Sequence, residues 1–387
     1  MKIARVPSRP VLSWPDVRSS QKQSTNISSL TDAPYSVLTG AGRFALYWAL
    51  KSLGVGPGRK VVLPGYYCAA MVGPVRALGA VPVFCPISDA LELDVTFLAH
   101  QAQSRDVAAV VAVHYFGFPF DFAPVARLCE ERNIALIEDC AHLFTVFSQH
   151  SPVGHYGEYA IGSLMKFFPS YDGGILASYN RPISASKLRR PGLAYEMKCL
   201  FSTLELAAAA GRIRPFGSLV TWLSKAKRYI RLLPRNHSRT LSMGSSAAMD
   251  GGIQFEMDQA GFQCSRTALA IIKAFNVTRA AERQRANYQH YLERFPASKR
   301  HLPLFPILPA DAVPYAFPLY VPGLVERSYQ ILRQQGVPMY RWDCSKESGC
   351  AISRRYAFHL LQLPCHSALT SAEIGWISTK VLQAVGF

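Results

Sequence analysis

Ala108-Ala-Val-Val-Ala-Val113-His114-Tyr-Phe-Gly117 is followed by Phe122 to Arg132 and then by Ile134-Ala-Leu-Ile137-Glu138-Asp139-Cys140-Ala141-His142. The first run holds six apolar residues with no polar interruption. A strand of that kind is buried on both faces. Phe122 to Arg132 has the spacing of an amphipathic helix, and Ile134 to Ile137 is a second short apolar strand. Continuous apolar strands alternating with helices specify a mainly parallel sheet covered on both sides.

Outward toward the N-terminus the pattern repeats. Lys60-Val-Val-Leu-Pro64 reads as a strand, Tyr66 to Leu78 as a helix and Val81-Pro-Val-Phe-Cys85 as another strand. Before them, Gly40-Ala-Gly42-Arg43-Phe44 opens a helical run, Ala45 to Leu53, closed by Gly56-Pro57-Gly58. Glycines ahead of a helix leave its first N–H groups open to a phosphate. Outward toward the C-terminus, a strand-like run Tyr159 to Ser163 leads into Lys166, Gly173-Gly174 and a further apolar run, Ile175 to Ala177. In open α/β sheets ligands bind beyond the carboxyl ends of the strands. Gly40–Arg43, Tyr66–Cys68, His114–Gly117, Asp139–His142 and Lys166 all lie at or after strand ends, which predicts one crevice that collects them.

At 387 residues the chain is long enough for a large core and two domains. Residues 1–35, rich in Ser, Pro and Asn, read as an N-terminal arm with little core of its own. Residues 36–250 read as a large α/β domain with a basic helical insertion at about 186–245. Residues 251–387 read as a smaller C-terminal α+β domain, with the junction in the small, flexible stretch Ser242–Gly252. In that half, Phe255 to Phe295 is a long helical run and Pro303 to Pro322 is extended. Val325 to Gln335 is a helix, and Ser371 caps a last helix, Ala372 to Val385.

The apolar runs are shorter than the roughly 18–20 residues that a membrane span needs. The start, MKIARVPSRPVLSWPDVRSS, is basic without an apolar h-region, so no secretory signal is expected. Nine cysteines are scattered with no C-x-x-C pair, so no metal site is expected. Reduced thiols in a cytoplasmic protein are the plain account.

Net charge is +17, and residues 187–239 hold twelve Lys/Arg against Glu196 and Glu205. A localised positive field attracts nucleotide diphosphates, nucleic acid or an acidic membrane surface. No zinc finger, RNP-like block or recognition helix supports nucleic acid, which is excluded as a partner. Peripheral contact with the inner face of a membrane through 187–239 stays open.

The chemistry centres on Lys166. Ringed by Met165, Phe167 and Phe168 at a strand end, its amine is expected to be desolvated, which lowers its pKa and frees a nucleophile. The matching chemistry is a Schiff base, and the commonest protein use of one is pyridoxal phosphate (PLP).

With these residues in hand, the chain resembles the DegT/DnrJ/StrS family of PLP-dependent sugar aminotransferases, of fold type I. The blocks that carry the resemblance occur in order: Gly42-x-x-Ala45-Leu46, Val61-Val-Leu-Pro64, Gly79-Ala-Val-Pro-Val-Phe84, Val113-His114-x-x-Gly117, Ile137-Glu-Asp139-x-Ala141-His142, Ser163-x-x-Lys166 with Gly173-Gly174, and Leu361-x-Leu-Pro364-x-His366. They cover residues 38–180 well and 260–385 loosely, and fail over 186–250. The fold implied is a large, mainly parallel αβα sandwich domain followed by a smaller α+β domain.

By position, the resemblance makes Lys166 the lysine that holds PLP and shuttles the proton. Asp139 becomes the carboxylate that pairs with the pyridine nitrogen. His142 sits near the cofactor ring, and Ser163 with the Gly42–Arg43 backbone resembles the phosphate cradle. Glu138 points the other way on its strand and is structural. The chain departs from the family pattern in four places, one of them Asp172, which stands before the glycines where Glu is commoner. Arg43 stands where a small hydroxyl residue is usual, and Cys68 where an aromatic stacks on the ring, so that Tyr67 or Tyr66 is expected to serve. The Ser163–Lys166 interval is two residues short.

The activity implied is amino transfer from an amino-acid donor, typically glutamate, to a nucleotide-linked keto-sugar, in polysaccharide or natural-product biosynthesis, by a homodimer. The alternative is a non-catalytic or altered-chemistry relative that docks on an anionic membrane or partner through the basic segment. Sugar dehydratases that resemble this family replace the lysine by His, and Lys166 argues against that chemistry.

Overall fold

A computed structural model describes residues 5–14, 27–148, 152–183, 188–214, 217, 220, 255–343, 345 and 348–386. The junction read at Ser242–Gly252, the basic stretch beyond residue 220 and part of the N-terminal arm lie outside the described residues.

The first half runs β1 (Ser28–Ser29), β2 (Tyr35–Thr39), α1 (Gly42–Ser52), β3 (Lys60–Pro64), α2 (Val72–Ala77), β4 (Val81–Cys85), α3 (Val95–Gln101), β5 (Val107–Val113), α4 (Ala123–Glu131), β6 (Ala135–Asp139), β7 (Thr145–Val146), β8 (Tyr159–Gly162) and β9 (Gly174–Ser178). Seven of these strands form one sheet in the order β2-β9-β8-β6-β5-β3-β4. The five strands from β4 across to β8 pair in parallel, and β9 runs antiparallel to both of its neighbours. Because β9 alone is reversed, it begins at the edge where the others end. Gly174 makes this closure possible: a Cβ there would lie 2.3 Å from the Ala41 carbonyl carbon.

The apolar strands are two-sided, as their unbroken runs predicted. Val61, Val111 and Ile137 enter one core, whereas Val62, Val110 and Leu136 face Val125 and Cys129 of α4 in another. Each such side chain, fully buried, contributes roughly 1.5–3 kcal/mol.

The second half contains α5 (Leu193–Ala209), α6 (Met257–Ala260), α7 (Arg266–Ala274), α8 (Val277–Arg294), β10 (Leu302–Pro303), β11 (Ala316–Tyr320), α9 (Glu326–Gln334), α10 (Ala351–His359), β12 (Leu360–Pro364) and α11 (Ser371–Ala384). β10, β11 and β12 form a small antiparallel sheet, as expected of an α+β unit. Phe317, Leu361 and Tyr288 share one apolar cluster with Val61 and Ile137, so the small sheet packs continuously against the large one.

Several elements differ from their sequence reading. The helix read over Tyr66–Leu78 begins only near Ala69, since Gly65–Cys68 is bound into the sheet edge: the Gly65 N–H donates to the Cys85 carbonyl at 2.7 Å, and the Tyr67 N–H donates to Ser345 Oγ at 2.9 Å. The long run from Phe255 is cut into three helices. Ser265 and Asn276 each cap a new start, accepting from the N–H groups of Ala268 and Arg279. The last helix is capped by Thr370 rather than Ser371, in a reciprocal pair with Glu373.

Candidate active site

The ends of β2, β3, β6 and β8 on the C-terminal edge of the large sheet supply walls of one cavity of about 180 Å³, whereas His114–Gly117 after β5, expected in the same crevice, does not line it. β2 leads into Gly40, Gly42 and Arg43. β6 ends at Asp139, with His142 just beyond, and β8 leads through Ser163 to Lys166. Six of the seven residues assigned from sequence, Lys166, Asp139, His142, Ser163, Gly42 and Arg43, therefore share this cavity.

Tyr67 is not brought in. Its ring stacks on Phe84 at 4.5 Å inside the core, and it is Cys68 that faces the cavity. Tyr66 is buried too, against Trp342 at 4.9 Å. Neither replaces the aromatic expected at position 68.

Lys166 ends a single 3-10 turn, Leu164–Lys166. The turn is pinned by the Leu164 N–H to the Gly173 carbonyl at 3.1 Å and by Phe167 and Phe168 packed among Phe144 and Phe275. Its ammonium lies 5.4 Å from the centre of the Tyr315 ring. Burial lowers the lysine pKa, and Cys68 and Asp139 oppose that shift. Burial likewise raises the Asp139 pKa, opposed first by Lys166. Asp139 accepts the Ala141 N–H on one oxygen at 2.8 Å. No helix follows Asp139, so this bond fixes the bend after β6 rather than capping a helix, and the other carboxylate oxygen is left for a ligand.

His142 accepts the Phe116 N–H on Nδ1 at 3.2 Å and stacks on Tyr315 at 4.4 Å. Burial, then Lys166, holds its pKa well below the usual histidine range. It is a neutral wall whose free proton is on Nε2. Glu138 is fully buried on the opposite side, bonded to the Gly157 N–H at 2.8 Å and to His114 Nε2 at 3.1 Å, and is structural as read. His114, Glu138 and Cys140 lie close together. His114 Nδ1 already accepts the Phe120 N–H at 3.0 Å, and the other ring nitrogen faces Glu138, so the trio is a satisfied core network.

Sequence reasoning missed the rest of the lining: Arg9, Tyr171, Tyr315, Tyr340, Trp342 and Gln362. Tyr315 is placed by Phe116 and Gly117, both at positive φ (58° and 90°). A Cβ on Gly117 would meet the Val313 carbonyl oxygen at 2.2 Å, and the Tyr315 N–H donates to the Phe116 carbonyl at 2.7 Å. The His114-x-x-Gly117 block carried that signal, since a glycine closing a strand often marks a close backbone approach.

The residues present fit PLP. A phosphate suits Arg43, whose buried Nε has no hydrogen-bond partner and which stands in the first turn of α1, a helix with no side-chain cap. Asp139 supplies a buried carboxylate for a ring nitrogen, and Lys166 the amine.

A seven-stranded sheet with one reversed strand and a lysine at its carboxyl edge places the protein in the fold type I class. Solved structures agree on the fold: an aminotransferase from Psychrobacter cryohalolentis superposes with a TM-score of 0.61 at 18% identity, covering 92% of this chain and 88% of that one. A Streptococcus pneumoniae chain solved in its PLP form gives a TM-score of 0.62 at 17% identity, covering 92% and 88%.

Residues 18–203 match the model of the DegT/DnrJ/EryC1/StrS aminotransferase family. Among curated relatives it is 29% identical over 157 residues to a GDP-perosamine synthase of Vibrio cholerae, covering 40% of this chain and 42% of that protein. It is 31% identical over 184 residues to a dTDP-4-dehydro-2,3,6-trideoxy-D-glucose 4-aminotransferase of Saccharopolyspora spinosa, covering 47% of each. The chain thus matches less than half the length of these relatives.

Proposed function

We propose that the protein is a PLP-dependent aminotransferase that moves an amino group from an amino-acid donor, glutamate, to a nucleotide-linked keto-sugar. The observation that carries this reading is the Lys166 amine, held in a cavity at the sheet edge opposite the Asp139 carboxylate. The nucleotide-sugar substrate is inferred from the names of the relatives, and the homodimer and a role in polysaccharide or natural-product biosynthesis from the family.

PLP, when bound, supplies an electron sink for a substrate carbanion. The chain's own residues do the rest. Asp139, ionised, holds a proton on the ring nitrogen by ion pairing. Lys166 would anchor the cofactor, and its lowered pKa would let the free amine take up and give back a proton at Nζ. Arg43 and the start of α1 hold a phosphate at the far end. Tyr315 and His142 close one wall, and as neutral groups they do not compete with Asp139 for the proton.

The test is the visible absorption of the purified protein with added PLP, beside Lys166→Ala. A band that develops in the wild type, is absent from the variant and is bleached by glutamate is expected. No band at saturating PLP would sink the reading. A keto-sugar panel then resolves the acceptor.

A further inference from the structure

The stretch Val6 to Val11 was read as part of an arm with little core, yet it is built into the cavity wall. Val6 and Val11 are buried, the Pro7 carbonyl accepts from His366 Nε2 at 3.0 Å, and the Ser8 carbonyl accepts from the Tyr340 hydroxyl at 3.5 Å. Between these anchors Arg9 faces the cavity, its guanidinium carbon 5.6 Å from the centre of the Tyr171 ring.

Among the described residues no carboxylate pairs with Arg9, whose neighbours are the phenols Tyr340, Tyr171 and Tyr315. Burial lowers its pKa, but an arginine stays charged. A largely enclosed guanidinium without a counter-charge is costly unless a ligand supplies one.

We propose that Arg9 binds the carboxylate of the amino-acid donor and of the oxo acid left behind. This rests on the aminotransferase reading for the name of the ligand, but not for the anion site itself. Tyr315 is the common wall: Lys166 Nζ lies over its ring, and its hydroxyl lies within the field of Arg9. An amino acid carries its α-carboxylate on the same carbon as its nitrogen, so a donor whose nitrogen reaches Lys166 brings its carboxylate into the cavity that Arg9 also lines. The diphosphate of a nucleotide-sugar is separated from a ring ketone by several bonds and need not enter that cavity with the reacting carbon. The planar fork of a guanidinium matches a carboxylate in two parallel hydrogen bonds. Arg43 is left for the cofactor phosphate.

The experiment is calorimetric titration of maleate, an inert dicarboxylate, and separately of thymidine diphosphate, into wild type, Arg9→Lys and Arg9→Met, each with and without PLP. Maleate binding is expected to weaken about 10- to 100-fold in Arg9→Met, the loss of one charged hydrogen-bonding group. Arg9→Lys keeps the charge without the fork and is expected to fall between the two. Thermal midpoints without ligand and the PLP absorption band should match the wild type, which separates ligand loss from misfolding. Wild type that does not bind maleate, or Arg9→Met that binds it unchanged, overturns the proposal. Loss of thymidine diphosphate binding alone also overturns it, in favour of a phosphate site. If wild type gives no PLP band yet maleate binding still depends on Arg9, the aminotransferase reading fails while the carboxylate site stands.

Discussion

The cavity has two kinds of wall. One is made by strand ends of the large sheet: Asp139 on β6, Lys166 after β8 and Gly42–Arg43 after β2. The other is made by segments far away in sequence: Arg9 near the N-terminus, and Tyr315, Tyr340, Trp342 and Gln362 from the small sheet and its connections. The first wall was legible because a parallel sheet aligns all its carboxyl ends on one edge. The second was not, because only the docking of the small sheet, through a shared core, brings it there. On our reading, chemistry sits on the first wall and recognition on the second.

If that division holds, substitutions on the first wall should destroy turnover and those on the second should alter substrate affinity. The largest effect is expected for Lys166→Ala, a loss of at least ~10³-fold in turnover, since nucleophile and proton carrier go together. Asp139→Asn should follow, with roughly 10²-fold or more lost because a fixed charge opposite the ring nitrogen disappears. Steady-state rates would check both, with the cofactor band confirming occupancy of Asp139→Asn. Turnover near wild type in either would break the division.

Arg43→Met tests whether the departure from a small hydroxyl residue is functional. The affinity for PLP, followed by absorbance, should fall about 10- to 100-fold if the unpartnered Nε is the phosphate donor. An unchanged affinity would return Arg43 to packing on Phe44, which its guanidinium already approaches at 4.7 Å.

Gly117→Ala probes the joint between the walls. The positive φ and the 2.2 Å approach to the Val313 oxygen predict about 2–4 kcal/mol of destabilisation by denaturant unfolding. A smaller loss would mean that residues 312–315 shift easily, and Tyr315 with them.

A further effect concerns pH. Burial drops the His366 pKa from 6.5 to about 4, below that of the unfolded chain. The unfolded chain therefore takes up the proton first. The associated stability is fully present above pH 6.5 and is lost as the pH falls toward 4, about 3 kcal/mol in all. Because His366 holds the Pro7 carbonyl, this loss is tied to the segment that carries Arg9. Unfolding in denaturant at pH 7 and pH 4.5 should reveal it, and His366→Gln should flatten the difference.

The strands β3, β5 and β6 were read within one or two residues because a doubly buried strand is a local pattern of apolar residues, independent of what lies across from it. Asp139, the last residue of β6, and Lys166, in the turn after β8, stood out through their place at that edge together with the family resemblance. Tyr67 shows the limit. Counting along the chain put an aromatic near the expected ring-stacking position, but the pleat turned Tyr67 onto Phe84 and left Cys68 facing the cavity. A shift of one residue reverses the face of an extended segment, and no local rule fixes that register. The helix starts at Ser265 and Asn276 were present in the sequence as capping residues but were overlooked inside a long apolar period.

By itself the sequence determined the α/β sandwich, the edge where a cavity would lie, and the place of Lys166 and Asp139 at that edge. These depend on residue pattern over a few positions. The tertiary structure alone decided which remote segments close the cavity, that Arg9 enters it with no carboxylate partner among the described residues, and that Tyr315 lines it with both Arg9 and Lys166. Such contacts form between residues some 150 to 300 positions apart, held by a core that spans both sheets, and no periodicity along the chain encodes them.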